Sequence, residues 1–261
     1  MIRNILGRKV HSILLYCLKN GNEFKLSMYR KKFREYMRTP NATTEKFKRE
    51  VLRNLALSNF LVYAACLGFP VYRNKVYKDI YQKRIKNKKR FSAHLQPRGT
   101  WKTALWGCAW QEWRCLQDKI LYGQTKPCLV VHGGETKGSK NLDLISKDLQ
   151  KEIIQYLFGD VLQVEIDNNT QLRFIDNFSP IRNKEADFES TSIFSDETGG
   201  HYYRFMFDDV GTKENTNTPE KSEKVKIAVY RFLSLEDHEA GQTENTWCAT
   251  PEADDNITGE I

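Results

Sequence analysis

The chain has no Cys-x-x-Cys pair, no Gly-x-Ser-x-Gly elbow and no Gly-Lys-Ser/Thr loop. Each absence removes a chemistry. The six cysteines, at 17, 66, 108, 115, 128 and 248, make neither a zinc knuckle nor a secreted disulfide framework. Cys108, Cys115, Cys128 and His132 include the right ligand types for zinc, but gaps of six and twelve residues are not knuckle spacing. On a shared helix, Cys108 and Cys115 would lie ~10 Å apart, too far for a disulfide. Cys17 and Cys66 have apolar neighbours, where thiols behave as small hydrophobes. His132-Gly133-Gly134 is similar to an oxyanion loop, yet no serine elbow exists for it to serve. The glycine-rich stretch from Gly133 to Lys140 follows a strand candidate and precedes a helix, the context in which backbone amides cradle a phosphate. Its order Gly138-Ser139-Lys140 misplaces both the lysine and the hydroxyl. The doublets Asp208-Asp209 and Asp254-Asp255 sit in polar stretches and read as solvating charge. The sequence therefore predicts no catalytic residue, no metal and no cofactor.

Acidic charge is scarce at the front. The first 22 residues carry none, while Arg3, Arg8 and Lys9 alternate with Ile2, Ile5, Leu6, Ile13 and Leu14 at helical spacing. A basic amphipathic start without acids resembles a mitochondrial targeting segment, assigned to residues 1–24. An ordinary amphipathic helix of the mature fold is the plain alternative. A secretory signal would need a longer apolar stretch and a small-residue cleavage site. Over 261 residues the net charge is +8, with 40% hydrophobic and 28% charged residues. That sum hides a division. Residues 1–130 hold 28 Lys/Arg and 7 Asp/Glu, and residues 131–261 hold 13 and 26. The basic half suits anionic lipid or a phosphate backbone, and the acidic half suits neither. The two halves could equally attract each other.

Residues 25–54 are basic and helical in pattern, with a start near Thr43 or Thr44 and Glu45 in the first turn. Residues 55–72, LALSNFLVYAACLGFPVY, contain no charge and are flanked by Arg53, Arg73 and Lys75. A spanning helix needs ~20 mainly apolar residues, so the stretch predicts one transmembrane helix lined by Leu55, Phe60, Leu61, Ala64, Gly68 and Tyr72. A buried helix of a water-soluble bundle is its competitor. Both flanks are basic, so orientation is undetermined. Lys83, Arg84, Lys86, Lys88, Lys89 and Arg90 put six cations into eight residues. Close behind a candidate span, they predict contact with an anionic surface.

Residues 73–126 read as a basic, tryptophan-rich linker with helices. Trp106, Trp110 and Trp113 share a helical stripe with Ala109, Leu116 and Ile120, which predicts a packed core or a partner interface. Residues 127–235 read as a small α/β domain. Its expected elements are a strand at Cys128–Val131, a helix at Leu142–Phe158, and strands at Leu162–Phe174, Tyr202–Phe207 and Val225–Leu235. Residues 236–261, acidic and poor in apolar side chains, predict a disordered tail. The expected fold class is α+β: a basic helical N-terminal half with a transmembrane helix, then a small domain with a mainly antiparallel sheet.

The order of these parts resembles one family, that of the twenty-one-kilodalton presequence-translocase subunit and the related cytochrome oxidase assembly proteins of the mitochondrial inner membrane. The stretch Leu142 to Leu235 carries the likeness. The helix closing on Leu157-Phe158-Gly159-Asp160-Val161 is similar to the family's helix before its first strand. SIFSDETGGHYYRFMF and KVKIAVYRFLSLED look like the strands that follow. The resemblance implies a domain that binds other proteins and catalyses nothing. The functional expectation is a non-enzymatic, single-pass inner-membrane accessory factor that binds inner-membrane protein complexes and anionic lipid. Its rival is a mitochondrial RNA- or ribosome-binding protein that uses the basic half on nucleic acid.

Overall fold

A computed structural model describes residues 42–71, 74–87, 90–134, 138–175, 184–196, 199–236 and 243–250. The chain divides into two compact units, Met1–Lys83 with Leu149–Leu162, and Arg84–Asp148 with Gln163–Ile261.

The first unit is helical. Helix α1 (Ala42–Ser58) buries Val51, Leu52, Leu55 and Ala56 on one stripe. It stops because Asn59 adopts an extended backbone and its side chain accepts from the Leu61 amide at 2.9 Å, capping a new helix α2 (Phe60–Leu67). Gly68, in the left-handed region at φ 104°, ends α2 by donating back to Ala64 and Ala65, and Pro70 follows. The predicted transmembrane helix is thereby corrected. Eight residues of α2 rise ~12 Å, well short of a ~30 Å hydrocarbon core, and no described helix is long and apolar enough to cross a membrane. The single-pass inner-membrane placement fails with it. Leu55, Phe60, Leu61 and Ala64 are buried inside this unit, and Tyr72 lies outside the described residues. Asp160 fastens the short helix α6 (Glu152–Phe158) to α1. Arg53 donates to it at 2.7 Å and Arg49 at 3.4 Å, while Arg53 also covers the Phe158 ring.

Seven strands form one sheet in the second unit: β1 (Phe91–Leu95), β2 (Cys128–His132), β3 (Val164–Asp167), β4 (Gln171–Phe174), β5 (Phe188–Ser192), β6 (Arg204–Asp208) and β7 (Glu244–Ala249), in the order β1-β7-β6-β2-β5-β4-β3. The pairings from β1 to β5 are parallel, and only β5-β4 and β4-β3 are antiparallel. The fold is therefore α/β with a mixed, mainly parallel sheet, which corrects the α+β, mainly antiparallel expectation. β2 and β6 are buried on both faces, as strands of a parallel sheet under helices must be.

Helix α8 (Pro219–Leu233) covers one face, packing Val225, Ala228, Val229 and Phe232 on Leu129, Val131, Phe205, Phe207 and Trp247. Full burial of Val225, Val229 and Phe232 contributes roughly 1.5–3 kcal/mol each. The predicted strand Val225–Leu235 is thus a helix, capped by Thr218 and opened by Pro219. The opposite face carries a π-helical segment (Lys102–Ala109), helix α4 (Trp110–Tyr122) and helix α5 (Gly138–Leu149). Gly107 lets the π segment touch the sheet, since a Cβ there would meet the Met206 methyl at 2.3 Å. The single strand expected at Leu162–Phe174 is the β3-β4 hairpin, turned by Asn168, whose side chain accepts from the Thr170 and Gln171 amides. Helix α3 (Lys75–Asn87) and the single turn α7 (Lys213–Thr216) complete the elements. The expected disordered tail contains β7, a strand inside the sheet between β1 and β6.

Basic and acidic halves meet inside both units. Within the second, Arg84 and Arg114 bind Glu244, Arg90 binds Glu236 and Lys102 binds Asp209. Within the first, Arg49 and Arg53 share Asp160. Part of the charge asymmetry read from the sequence is internal complementarity.

Candidate functional site at the carboxyl ends of the strands

Five parallel strands deliver their carboxyl ends to one edge: Leu95 of β1, Ala249 of β7, Asp208 of β6, His132 of β2 and Ser192 of β5. From β2 the chain runs through α5 toward β5, and from β6 it runs through α8 toward β7. Neighbouring strands whose connections leave in opposite directions mark a switch point, the usual place for a ligand crevice in an open α/β sheet.

The start of the π-helical segment brings Lys102 and Thr103 to that edge. Thr103 donates to Asp208 Oδ1 at 2.6 Å, and Asn141 of α5 donates to Asp208 Oδ2 at 3.0 Å. Burial pushes the Asp208 carboxyl above its ordinary range, against the lowering effect of both donors. Lys102, 8% exposed, donates to Asp209 Oδ1 and to Thr250 Oγ1, each at 2.7 Å. Asp209 is one-third exposed, at 32%. Its backbone sits at φ 44° in the left-handed region, and Trp101, immediately before Lys102, sits at φ 56°. These are the two non-glycine residues of that kind among the described residues, and one ion pair links their neighbourhoods. Such conformations cost of order 1–3 kcal/mol each and cluster at ligand clamps. Gly133 makes the junction feasible: a Cβ there would come within 2.1 Å of the Asp209 carbonyl oxygen. Asn215 closes the underside, donating to the Val210 and Gly133 carbonyls.

The side chains singled out in the sequence lie elsewhere. Trp106, Trp110 and Trp113 are buried, with Trp110 and Trp113 rings 5.1 Å apart. The basic run is not one face. The Arg84 side chain is 4% exposed, lies 3.7 Å over the Trp110 ring and donates to Thr246 at 2.6 Å and to the Trp106 carbonyl. Burial lowers its guanidinium to about 10. Burial and then Arg84 hold His94, stacked on Trp106 at 5.1 Å, down to about 2, so its ring is neutral and accepts from Arg84. Glu244 resists the upward push of burial because Arg114, Arg84 and the Trp110 indole favour its charge, and it titrates below its ordinary range. Arg90 binds Glu236, Lys83 and Lys86 are exposed, and Lys88 and Lys89 lie outside the described residues. A second buried pair joins Arg204, fully enclosed, to Asp118 at 2.5 Å. The four residues weighed for zinc do not form a site, since no described group of His, Cys, Asp and Glu could hold a metal ion.

Sequence reasoning passed over Lys102 and Thr103, and read Asp208-Asp209 as solvating. The signal was an acidic pair directly after the buried run Phe205–Phe207, where a strand ends.

The second unit has helices on both faces of a mixed sheet and a cluster of polar side chains at its switch point. No family model matches the chain, and no curated protein matches it.

Proposed function

We propose that this chain binds a small hydroxyl-bearing ligand at the carboxyl ends of β6 and β2, with Asp209 as the principal contact. One observation carries the reading. Asp209 is held through Oδ1 by a buried lysine at the switch point, on a backbone that a non-glycine residue adopts at a cost, with its side chain one-third exposed. A carboxylate so fixed is a hydrogen-bond acceptor prepared before the ligand arrives, so little ordering opposes binding. The chain's thermal midpoint, scanned against ribose, glucose, inositol, glycerol and ribonucleosides, tests this. At least one compound is expected to raise the midpoint, and Asp209→Asn to abolish that rise. Compounds that raise both proteins equally, or neither, defeat the reading.

A second reading follows the order of the chain and needs no membrane span: a non-catalytic accessory factor that binds partner proteins. It is favoured by α8, whose outer face exposes Ile227 at 60% and Tyr230 at 59%, one turn apart. Co-purification of a partner lost on Ile227→Ser plus Tyr230→Ser supports it, and an unchanged set of co-purifying proteins removes it.

A further inference from the structure

We infer that β1 takes an extended segment of a partner protein as an added strand, one with apolar side chains at alternate positions and acidic residues at its ends. The inference goes beyond the ligand-binding role, does not rest on it, and uses a surface other than the outer face of α8.

β1 ends the sheet, with β7 on one side and no described strand on the other. Its register with β7 runs unbroken from Phe91 to Leu95. Just outside that register, the Arg90 carbonyl accepts from the Asn245 amide at 2.7 Å, and the Gln96 amide donates to the Ala249 carbonyl at 3.2 Å. In a strand the main-chain groups of successive residues point to opposite sides. Ser92 and His94 therefore also face β7, and the N–H and C=O groups of Phe91, Ala93 and Leu95 point away from it. The same three are the exposed residues of the strand, with Phe91 at 39% and Leu95 at 47%. Their side chains share one face of the sheet, while His94 stacks on Trp106 on the other.

A row of outward donors and acceptors with apolar side chains beside it is the template that strand addition uses. The opposite edge lacks it. β3 carries Glu165 and Asp167 within its four residues, and its register shifts between Val164 and Ile166. β1 holds no charged residue.

Charge selects the partner. Residues 80–111 contain eight Lys and Arg and no Asp or Glu. Arg84 and Lys102 are buried in ion pairs, but Lys86 before β1 and Arg98 after it are exposed. The Arg90 side chain is 42% exposed even while it binds Glu236, and its guanidinium lies 5.3 Å over the Phe91 ring. Cations at both ends of an uncharged strand attract a segment with acidic ends. A second copy paired antiparallel on the same edge would set these cations against each other.

The test uses the full chain and a fluorescent synthetic peptide, Asp-Glu-Val-Thr-Val-Thr-Val-Asp-Glu, read by anisotropy. The peptide is expected to bind, and a form with lysines for its four acids to bind roughly tenfold more weakly. A form N-methylated at its five central residues cannot donate to a strand and is expected not to bind. Ala93→Pro keeps the bonds to β7, because the Ala93 N–H points away from it, and is expected to abolish binding. If circular dichroism shows that this variant fails to fold, Phe91→Ser plus Leu95→Ser, expected to weaken binding roughly tenfold, carries the test. Lys86→Glu plus Arg98→Glu is expected to reverse the preference between the acidic and lysine peptides. No binding of the acidic peptide, or equal binding of its N-methylated form, overturns the inference. A dimer of the chain alone that Ala93→Pro dissolves puts a second copy on the edge and overturns the partner segment. Binding of an oligouridylate that the charge reversal abolishes, with the acidic peptide inert, assigns the cations to nucleic acid and also overturns it.

Discussion

Gly133 and Asp208 show how single residues hold the strand ends together. An alanine at 133 cannot coexist with the Asp209 carbonyl in its present place, because the new Cβ would stand 2.1 Å away. Gly133→Ala is therefore expected to cost about 1–3 kcal/mol, as overpacking does, and urea unfolding measures it. Asp208 supplies a pH signature. Burial raises its carboxyl in the folded state above the unfolded value, so its contribution favours folding when protonated, is complete below the unfolded value and is lost as pH rises through the folded one. Between about pH 4 and 7, the urea midpoint of the native chain minus that of Asp208→Asn is expected to fall with rising pH. A flat difference would remove the buried-carboxyl account. The five described cysteines are free and buried. Burial raises Cys108, Cys115 and Cys248 well above the ordinary thiol and Cys128 to about 12. A thiol reagent is expected to label them only after denaturant is added.

Two elements turn on polar residues inside apolar runs. Asn59 ends α1 and starts α2 by taking the Leu61 amide, so Asn59→Ala is expected to cost about 1 kcal/mol in the urea midpoint. β7 depends on partners that a reader of its own residues cannot see. Glu244 takes Trp110, Arg84 and Arg114, Thr246 takes Arg84 and Gln111, and Asn245 donates to Glu236. Arg84→Met leaves the largely buried Glu244 with less compensation, and about 3–5 kcal/mol is the expected loss for breaking such a pair. Because Glu244 titrates low in the folded state, its stabilisation is present above its unfolded value and lost as pH falls toward the folded one. The variant's deficit should therefore shrink in acid, which thermal melts against pH would record.

Across the whole molecule, Glu244–Ala249 of the acidic C-terminal stretch is part of the sheet. Truncation after Glu236 removes β7, the strand joining β1 to β6. The second unit is then expected to lose cooperative unfolding and to become a ready protease substrate, which circular dichroism and limited proteolysis would read out. Retained cooperativity would mean that β6 can close the sheet alone. Several features were legible beforehand. β2 announced itself as a short apolar run before glycines, β6 by its aromatics, and the tryptophan stripe by its helical spacing. Others were not. Val225–Leu235 alternates well enough for a strand, yet Thr218-Pro219 upstream supplies a helix start and period 3.6 wins. Leu142–Phe158 reads as one helix, but α5 ends at Leu149 and Lys151 takes an extended ψ of 136° before α6.

Read alone, the sequence determined local matters: which short runs bury themselves, where caps and glycines punctuate the chain, and how charge divides between its halves. Those follow from neighbours a few residues away. Tertiary structure decided the direction of the strands, the burial of Phe60–Leu67 within protein, the admission of Glu244–Ala249 to the sheet, and the meeting of Lys102 with Asp209. The reason is physical. A polar or uncharged segment has no fixed environment of its own, and its free energy depends on which distant groups satisfy its hydrogen bonds and charges once the chain has closed around it.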